Sequence, residues 1–399
     1  MSMLGSARLV ARGIVTIGFL ALFAAYASAD ARETFHSTAG EIVVETKAAG
    51  LEQPWSLAFL PDGRMLVSER PGRLRIVTSE SVLSPPVEGV PAVYAITGRQ
   101  PGLLDVALDR GYAHNQTIYF CYVEPVDGGG RTAVARARLL DEESPRLDQL
   151  RTILRADGLA GVEANFGCRI LQTADGNLFV TIGDYFDHWH EAQNLRSHLG
   201  KIVRIDPDGV APPDNPFRNR PDALPEIWSY GHRNPQGLAL HPDTRKLWSH
   251  EHGPRLGDEL NIIQPGKNYG WPVIGYGTGY GGDKLHDSTH KEGMKQPIKH
   301  WQQTIAPSGM AFYDGELLPA WKGSLFLGAL AGRMLVRLEL DGERIVKEEH
   351  LLRELNERIR DVRQGPDGAL WFLTGAPAGR IMRISPVSSF QAKAVGSSP

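Results

Sequence analysis

The segment SLAFLPDGRMLVSER, residues Ser56–Arg70, contains the pattern that decides the fold. A run of strand-forming residues ends in Pro-Asp-Gly, a tight-turn sequence, and a second run of strand-forming residues follows. A related turn and strand recur five more times, at intervals of 47 to 71 residues between the turn aspartates. The six turn aspartates are Asp62, Asp109, Asp175, Asp243, Asp314 and Asp367.

Intervals of this length each accommodate a four-stranded sheet with its loops, which is the size of one propeller blade. Such a sheet has two apolar faces that become buried only against neighbouring blades, so the ring of blades must close. We therefore predict an all-β fold, a six-bladed β-propeller that occupies residues 30–387 as one domain. A two-sheet sandwich with insertions is the alternative. One short helix is expected around Ala192–Leu199.

The two ends of the chain depart from this repeat. Arg8 and Arg12 precede an apolar run, Gly13–Ala27, whose end overlaps the cleavage-site sequence Ala27–Ala29. This order is typical of a secretory signal peptide. We expect residues 1–29 to be removed, with no stable membrane insertion afterwards and a periplasmic or secreted product. An uncleaved anchor is the alternative, although the run is shorter than the roughly 20 residues of a membrane span. Residues 388–399 lack periodicity and are expected to be disordered.

Composition restricts the classes of partner and metal site. The 399-residue chain has a net charge of -3, so no general attraction to nucleic acid or anionic membranes is expected. Its two cysteines, Cys121 and Cys168, are too few for a four-cysteine zinc site. An exported compartment permits a disulfide. Because Cys121 lies in the apolar strand sequence TIYFCYV, we expect buried free thiols instead.

The stretch Tyr230–Pro272 is the part of the sequence richest in candidate binding residues. Its segments HRNPQG and EHGPRLGDELN fall on loops at strand ends, where binding groups usually lie. Arg233 in the first segment, together with Arg358 and Arg360, would bring three positive charges into one channel. Arginine suits bidentate recognition of carboxylate or phosphate, so we predict a small anionic ligand. Surface ion pairs are the alternative role for these arginines.

The same stretch also contains candidate metal ligands. A Gly-Pro turn exposes backbone carbonyls beside Asp258 and Glu259, and hard oxygen ligands of this kind suit calcium. Turn capping by the two carboxylates is the alternative. The histidines His232, His250 and His252 lack helical spacing and are expected in the core or behind the ligand. The sequence contains no nucleophile elbow, Walker loop or Rossmann fingerprint.

These motifs resemble the soluble aldose sugar dehydrogenases that use pyrroloquinoline quinone (PQQ), relatives of the soluble quinoprotein glucose dehydrogenases. The resemblance extends from QPWSLAFLPDG, starting at Gln53, to RIRDVRQGPDG, starting at Arg358. Its most specific part is GHRNPQGL together with EHGPRLGDELN. The family forms a six-bladed propeller, in agreement with the repeat count.

The resemblance implies a role for each matching position. Arg233, Arg358 and Arg360 match cofactor-binding arginines, with Arg233 also counted as catalytic, and Gln100 and Asn234 match polar groups that contact the quinone. The remaining matches concern calcium. Carbonyls of Gly253 and Pro254 would hold a catalytic calcium ion, whereas Glu259 and Tyr269 would hold a second, structural one.

The sequence also departs from the family pattern. Asn165 stands where the family has the histidine that takes the proton from the sugar hydroxyl, and asparagine has no basic pKa near neutrality. Ala331 replaces a lysine and Leu256 replaces a glycine. We consider four substitute bases near position 165: Glu163, Asp187, His188 and His190.

The resemblance thus implies a periplasmic quinoprotein that oxidises aldose sugars at C1 to lactones. The hydride passes to PQQ held against calcium, and an unidentified electron acceptor reoxidises the cofactor. Asn165 motivates a second hypothesis, a propeller that binds PQQ or another small anion with little or no turnover. A calcium-dependent propeller hydrolase, such as a lactonase, is a third.

Overall fold

The computed structural model describes residues 32–141 and 143–387, which form six antiparallel β-sheets arranged in a ring. The predicted signal peptide and the predicted disordered tail lie outside the described residues. Within the described ranges, no helix combines the length and apolar character needed to cross a membrane.

Each sheet is one blade, and the first three strands given for each blade below run outward from the central channel in chain order. Two strands precede the first blade: β1 (Arg32–Ser37) and β2 (Gly40–Glu52). Blade 1 contains β3 (Pro54–Phe59), β4 (Met65–Glu69) and β5 (Arg73–Val77). Blade 2 contains β6 (Leu103–Leu108), β7 (Thr117–Val126), β8 (Gly129–Leu140), β9 (Arg146–Arg155) and β10 (Leu159–Ala160). Blade 3 contains β11 (Gly167–Gln172), β12 (Leu178–Ile182), β13 (Lys201–Ile205) and β14 (Ile227–Tyr230).

The second half of the ring repeats this arrangement. Blade 4 contains β15 (Pro235–Leu240), β16 (Leu247–Glu251), β17 (Asp258–Ile263) and β18 (Lys299–Trp301). Blade 5 contains β19 (Pro307–Phe312), β20 (Leu325–Ala329), β21 (Met334–Asp341) and β22 (Arg344–Leu351). Blade 6 contains β23 (Ile359–Gln364), β24 (Leu370–Thr374) and β25 (Ala378–Pro386). The helices are short: α1 (Tyr112–Asn115) and the 3-10 helices Trp189–Gln193, Pro319–Trp321 and Arg353–Leu355.

The ring closes through its first and last strands. The first strands of the six blades contact one another in cyclic order, with β23 of blade 6 returning to β3 of blade 1. On the outside, β2 pairs antiparallel with β25, so that Val43 lies opposite Ser385, and β1 pairs with β2. The N-terminal segment therefore completes the last blade, and the prediction of a six-bladed propeller is confirmed.

The repeated turn aspartates all lie between the first and second strands of their blades. In several blades the carboxylate accepts a hydrogen bond from the backbone N–H two residues later, which is the bond that defines an Asx turn. Asp62 accepts from the Arg64 N–H at 3.0 Å, and Asp109 from the Gly111 N–H at 2.8 Å. These turns all occupy one end of the ring, which leaves the loops at the other end available for function.

Charged side chains from blades 2, 3 and 6 meet inside the ring. Arg169 contacts Asp105 and Asp361 at 3.0 and 3.1 Å, and Arg363 contacts the same two carboxylates at 3.3 and 2.9 Å. Ser56 also donates a hydrogen bond to Asp105. Because two arginines face two aspartates, the charges are balanced, as buried ions must be. This layer forms the floor below the functional end of the ring.

The two cysteines form a disulfide that joins two blades. Cys121 on β7 and Cys168 on β11 are both fully buried and bonded, so the expectation of free thiols is wrong. Blade packing brings their Cα atoms to 5.6 Å, within the range that a disulfide can span. This proximity arises between blades and has no signature in the local sequence.

Removing the disulfide is expected to destabilise the propeller. In Cys121→Ala/Cys168→Ala, we expect the free energy of unfolding to fall by about 2–4 kcal/mol, because the bridge restricts the unfolded chain over a separation of 47 residues. Urea denaturation of the oxidised protein and of the variant at 25 °C measures the difference. The reduced wild-type protein should behave like the variant. Equal midpoints for all three would contradict this prediction.

The helix predicted around residues 192–199 is wrong. The structure has instead the 3-10 helix Trp189–Gln193, and the residues after it form turns. The Lys201 ammonium group explains the difference. It donates hydrogen bonds to the carbonyls of Glu191, Ala192 and Leu199 at 2.8, 3.1 and 2.6 Å, which folds this segment back on itself.

Candidate active site

A cavity of about 410 Å³ opens at the end of the ring where the first strands begin. Its walls come from the loops that precede first strands and the loops that follow second strands. All six blades therefore contribute side chains. One lining residue from each blade, in chain order, is Arg70, Gln100, Phe166, His252, Leu330 and Arg358.

The cavity is strongly electropositive. Arg358 and Arg360 line it as predicted, and Arg70 joins them from the loop after β4. Burial of the Arg360 guanidinium, with repulsion from Arg70 and Arg358, lowers its pKa to about 9. Burial and repulsion from Arg358 also lower the pKa of Arg70. Like charges gathered in this way are stabilised by an anion, so the residues present fit a ligand with carboxylates.

Trp55 supplies a flat apolar surface in the same cavity. The guanidinium carbon of Arg169 lies 4.3 Å from the centre of its ring, and that of Arg360 lies 5.6 Å from it. Such cation–π contacts fix the orientation of the Trp55 ring and link the ion pairs of Arg169 to the cavity wall. Sequence reasoning missed both Trp55 and Arg70. Trp55 lies at the start of an inner strand and Arg70 follows a second strand, and these two positions recur as cavity-lining positions around the ring.

Two of the predicted residues, Gln100 and Asn165, lie together. The backbone N–H of Asn165 donates to Oε1 of Gln100 at 2.8 Å, and Asn165 is buried in the left-handed region with φ of 60°. Its side-chain amide donates to Oδ1 of Asp184 at 2.8 Å. Asp184 follows the end of β12 and was not among the predicted site residues. Nothing in the sequence relates Asp184 to position 165, because the two residues meet only through the pairing of β11 with β12.

Asp184 is a fully buried carboxylate at the centre of a hydrogen-bond network. It also accepts from the Trp271 indole N–H at 2.8 Å and from the Phe186 N–H at 2.9 Å. Burial raises the pKa of Asp184 to about 6, against the opposing effects of Arg233 and of these hydrogen bonds. The folded protein therefore holds a proton on Asp184 more tightly than the unfolded chain does.

Asp184 is expected to make stability depend on pH between about 4 and 6. Since its folded pKa is raised, its contribution to stability is greatest below the unfolded pKa and is lost as the pH rises through the folded value. We expect the free energy of unfolding of the wild type, minus that of Asp184→Asn, to decrease from pH 4 to pH 7. Urea denaturation at constant ionic strength measures this difference. A difference that is constant or increases with pH would refute the assignment.

Blade 4 contributes Gln236 and His252 to the cavity wall, whereas the predicted residue Asn234 lies behind that wall. Asn234 is fully buried, and its side-chain oxygen accepts from the Gly167 N–H and the Gln236 amide, both at 3.1 Å. The ring of His252 hydrogen-bonds the Pro307 carbonyl at 2.7 Å. Burial lowers the pKa of His252 to about 4, with Arg233 and Arg360 adding repulsion. The neutral ring of His252 therefore donates to this carbonyl.

Arg233 does not line the 410 Å³ cavity. It lies in a neighbouring cavity of about 20 Å³, and His252 forms part of both walls. Its guanidinium donates to the carbonyls of Gly253 and His252 at 2.7 and 3.2 Å, and lies 5.4 Å from the Trp271 ring centre. The three predicted arginines thus divide into a pair in the main cavity and one in the adjoining cavity.

The predicted calcium-binding residues line the same small cavity. Gly253, Pro254, Glu259 and Tyr269 all contribute, beside the carboxylate of Glu251. Burial and repulsion from Glu251 raise the pKa of Glu259 to about 8. A buried carboxylate, Glu251, and a half-buried one, Glu259, in one small space fit a cation. In the described ranges no three His, Cys, Asp or Glu side chains gather as a metal site, so backbone carbonyls would have to supply the other ligands.

Asp258 has a structural role in this region. Its carboxylate accepts from the Gly253 N–H at 2.9 Å and, across the blade boundary, from the N–H groups of Ile305 and Ala306 at 2.8 Å each. It therefore holds the Gly253 loop against blade 5. The Tyr269 hydroxyl is also engaged, since it donates to the Ile262 carbonyl at 2.7 Å.

Three of the four considered substitute bases, Glu163, Asp187 and His190, occupy different environments, and the fourth, His188, immediately precedes the 3-10 helix Trp189–Gln193. Glu163 is paired with Arg99 at 3.0 Å, and both side chains are largely exposed. His190 stacks on Trp189 with ring centres 4.2 Å apart. Asp187 lines a further cavity that also contains Arg233. Of these residues, Asp187 thus shares a cavity with a predicted catalytic residue.

Comparisons with known proteins agree with this architecture. The family model described as glucose/sorbosone dehydrogenase matches residues 51–383. Aldose sugar dehydrogenase YliI of Escherichia coli is 41% identical over 347 residues, which cover 86% of this chain and 92% of that protein.

Solved structures are similar over the same part of the chain. A crystal structure of a glucose dehydrogenase has a TM-score of 0.82 and 45% identity, covering 85% of this chain and 98% of that one. The PQQ-bound form of aldose sugar dehydrogenase from Streptomyces coelicolor has a TM-score of 0.71 and 30% identity, with coverages of 86% and 98%.

Proposed function

The chain belongs to the glucose/sorbosone dehydrogenase family, and from that membership we propose that it oxidises aldose sugars at C1 to lactones with PQQ as hydride acceptor. Its relatives are an aldose sugar dehydrogenase and a glucose dehydrogenase, which supports the assignment of the chain as a sugar oxidoreductase. The finer assignment concerns the cofactor, the metal and the sugar position oxidised. It rests on the chemistry of the cavity residues.

The observation that carries the proposal is the group of arginines in the 410 Å³ cavity. PQQ is planar and has three carboxylates, and Arg70, Arg358 and Arg360 offer positive charge that mutual repulsion makes costly without an anion. Trp55 offers a flat apolar surface in the same space. Gln100 lines the same cavity and is a further proposed contact, and we propose that Asn234 supports the cofactor from behind the cavity wall. A quinone-bound relative of this fold supports the same assignment.

We assign the calcium ions to the cavity beside Arg233. The Gly253 carbonyl accepts one hydrogen bond from Arg233, and a carbonyl oxygen has a second lone pair available for a cation. The Pro254 carbonyl would be its neighbour. Glu259, with its raised pKa, and the backbone of Tyr269 would hold the second, structural ion. Oxygen ligands of this kind suit calcium.

When bound, PQQ supplies the carbonyl carbon that accepts the hydride. The remaining work falls to side chains of this chain. Asn165 is held by Gln100 and Asp184, so its carboxamide is positioned to bind a sugar hydroxyl. It cannot take the proton, because an amide is not basic near neutrality. If another group takes the proton, Asp187 is the candidate among the four substitute bases considered, since it shares a cavity with Arg233.

The second candidate function is binding without efficient turnover. Asn165 favours it, because losing a positioned base typically costs about 10²–10⁴ in rate. In either case we propose removal of residues 1–29 during export, a periplasmic or secreted location and a separate electron acceptor. The charge of -3 favours neither nucleic acid nor a membrane surface as partner.

Calorimetric titration of PQQ into the mature protein tests the proposal. We expect tight binding with calcium and weaker binding with chelator, followed by oxidation of glucose in the presence of a dye acceptor. Calcium should raise the midpoint of thermal unfolding of the wild type, and this increase should be smaller in Glu259→Gln. Absence of PQQ binding at every calcium concentration would overturn the proposal. Binding with no glucose oxidation above background would select the second function.

A further inference from the structure

A separate cavity, of about 430 Å³, lies at the outer edge of blade 2. Three arginines line it: Arg136 and Arg138 from β8 and Arg151 from β9. His114 also lines it, from the helix α1 in the loop that begins with the turn residue Asp109. The cavity therefore belongs to the end of the ring that carries the turn aspartates, which is opposite the proposed active site.

The other blades show how the propeller treats an arginine at this position. Four blades place an arginine of the third strand opposite an aromatic residue of the second strand. These pairs are Tyr119–Arg136, Phe179–Arg204, Phe326–Arg337 and Trp371–Arg383. Outside blade 2, each arginine contacts two carboxylates: Arg204 contacts Asp175 and Asp214, Arg337 contacts Glu339 and Glu349, and Arg383 contacts Glu45 and Asp367. The repeat thus neutralises this arginine in three blades.

Blade 2 departs from this rule. Arg136 contacts one carboxylate, that of Asp208 in the loop after β13, at 3.0 Å, and Arg151 contacts the same oxygen at 2.6 Å. Arg138 forms no ion pair with a carboxylate in the described ranges, although Asp148 lies opposite it in the strand register. The cavity walls and Asp208 therefore combine three guanidinium groups with one carboxylate, an excess of two positive charges.

The backbone of blade 2 keeps these like charges together. Arg136 and Arg151 lie directly opposite each other across β8 and β9, an arrangement that destabilises a sheet. The register of the two strands shifts between Arg136 and Arg138, and Gln149 has a left-handed φ of 51°, as in a β-bulge. The Arg136 side chain is 38% exposed, whereas its three counterparts are 5–19% exposed. The excess charge is thus open to a ligand.

Neighbouring groups fix the direction of each guanidinium. Arg138 donates from Nε and Nη2 to Oε1 of Gln116 at 3.1 and 2.9 Å. This acceptor is neutral, so it orients Arg138 without compensating its charge. Arg151 donates from Nη2 to the carbonyl of Asp208 at 3.1 Å as well as to its carboxylate. Side chains that are already oriented lose less conformational entropy when they bind a ligand.

We propose that this cavity binds a phosphate dianion, either free or as the monoester of a small molecule. Phosphate carries a charge of about -1.5 to -2 near pH 7, which matches the excess of two positive charges. The planar fork of arginine suits its oxygens. A volume of about 430 Å³ leaves room for a group attached to the phosphate. The site and the proposed catalytic cavity lie at opposite ends of the ring, so neither requires the other.

Calorimetric titration of the cofactor-free mature protein with inorganic phosphate and with glucose 6-phosphate tests this site. Because the arginines of the main cavity also attract anions, every protein in the series carries Arg360→Gln. In that background we expect saturable binding at low ionic strength that weakens with added salt. Adding Arg138→Gln should weaken it about tenfold or more, through loss of a hydrogen bond to a charged group. Adding Arg344→Gln, at a surface ion pair on blade 5, is the control and should leave the affinity unchanged.

Gln116→Glu separates charge from shape at the same site. It keeps the size of the side chain and gives Arg138 the carboxylate that it lacks, so phosphate should bind about tenfold more weakly. Tighter Arg138-dependent binding of glucose 6-phosphate than of inorganic phosphate would identify a monoester as the ligand, and equal affinities would identify phosphate itself. The proposal is overturned if neither compound binds saturably, or if neither Arg138→Gln nor Gln116→Glu weakens the binding.

Discussion

Asn165→His is expected to raise kcat for PQQ-dependent aldose oxidation by about 10²–10⁴-fold, the typical worth of a positioned base. Asp184 lies 2.8 Å from the Asn165 side-chain nitrogen, so an imidazole at this position would meet a carboxylate that orients it and stabilises its protonated form. Histidine also tolerates the left-handed φ of 60° at position 165 better than most residues do. The measurement is turnover of glucose with a dye acceptor after PQQ loading.

The pH profile separates a restored base from a change in packing. In Asn165→His, log kcat/KM should rise with pH through the range in which imidazole titrates, near 6.5. Asn165→Gln, which adds bulk without a base, should show no gain. Asn165→His/Asp184→Asn should lose most of the gain, because the imidazole then lacks its carboxylate partner. A histidine variant that binds PQQ and is no faster than the wild type would show that another group already takes the proton.

Arg360→Gln is expected to have opposite effects on cofactor binding and on stability. PQQ binding should weaken about 10- to 150-fold, which corresponds to the loss of a hydrogen bond to a charged group worth about 1.5–3 kcal/mol. The protein without cofactor should become more stable, because Arg360 experiences burial and repulsion from Arg70 and Arg358. Calorimetry with PQQ and denaturation of the cofactor-free protein measure the two effects.

A matched control for this variant is Arg344→Gln. The Arg344 side chain is 72% exposed at the start of β22 and forms a surface ion pair with Asp341. Its loss should therefore change neither the affinity for PQQ nor the stability of the cofactor-free protein measurably. High salt should reduce the difference in PQQ affinity between the wild type and Arg360→Gln, because the attraction is electrostatic. An Arg360→Gln protein that binds PQQ normally and is less stable would assign Arg360 a structural role.

The sequence by itself determined the architecture, because the information that specifies a blade is local. Four of the six turn aspartates accept a bond from the backbone N–H two residues later, and alternation along the next strand determines which side chains face inward. The number of repeats then sets the number of blades. The same local logic placed Arg358 and Arg360 on one face of a strand entry, and both line the main cavity.

Only the tertiary structure decided which residues meet across blades. The disulfide between Cys121 and Cys168, the addition of Arg70 and Trp55 to the cavity, and the partnership of Asn165 with Asp184 all join segments that no sequence period relates. The separation of Arg233 from Arg358 and Arg360 arose in the same way. The physical reason is that a propeller builds its site from the starts of six strands. The distances between these strand starts depend on blade packing and ring closure, which local propensity and spacing do not encode.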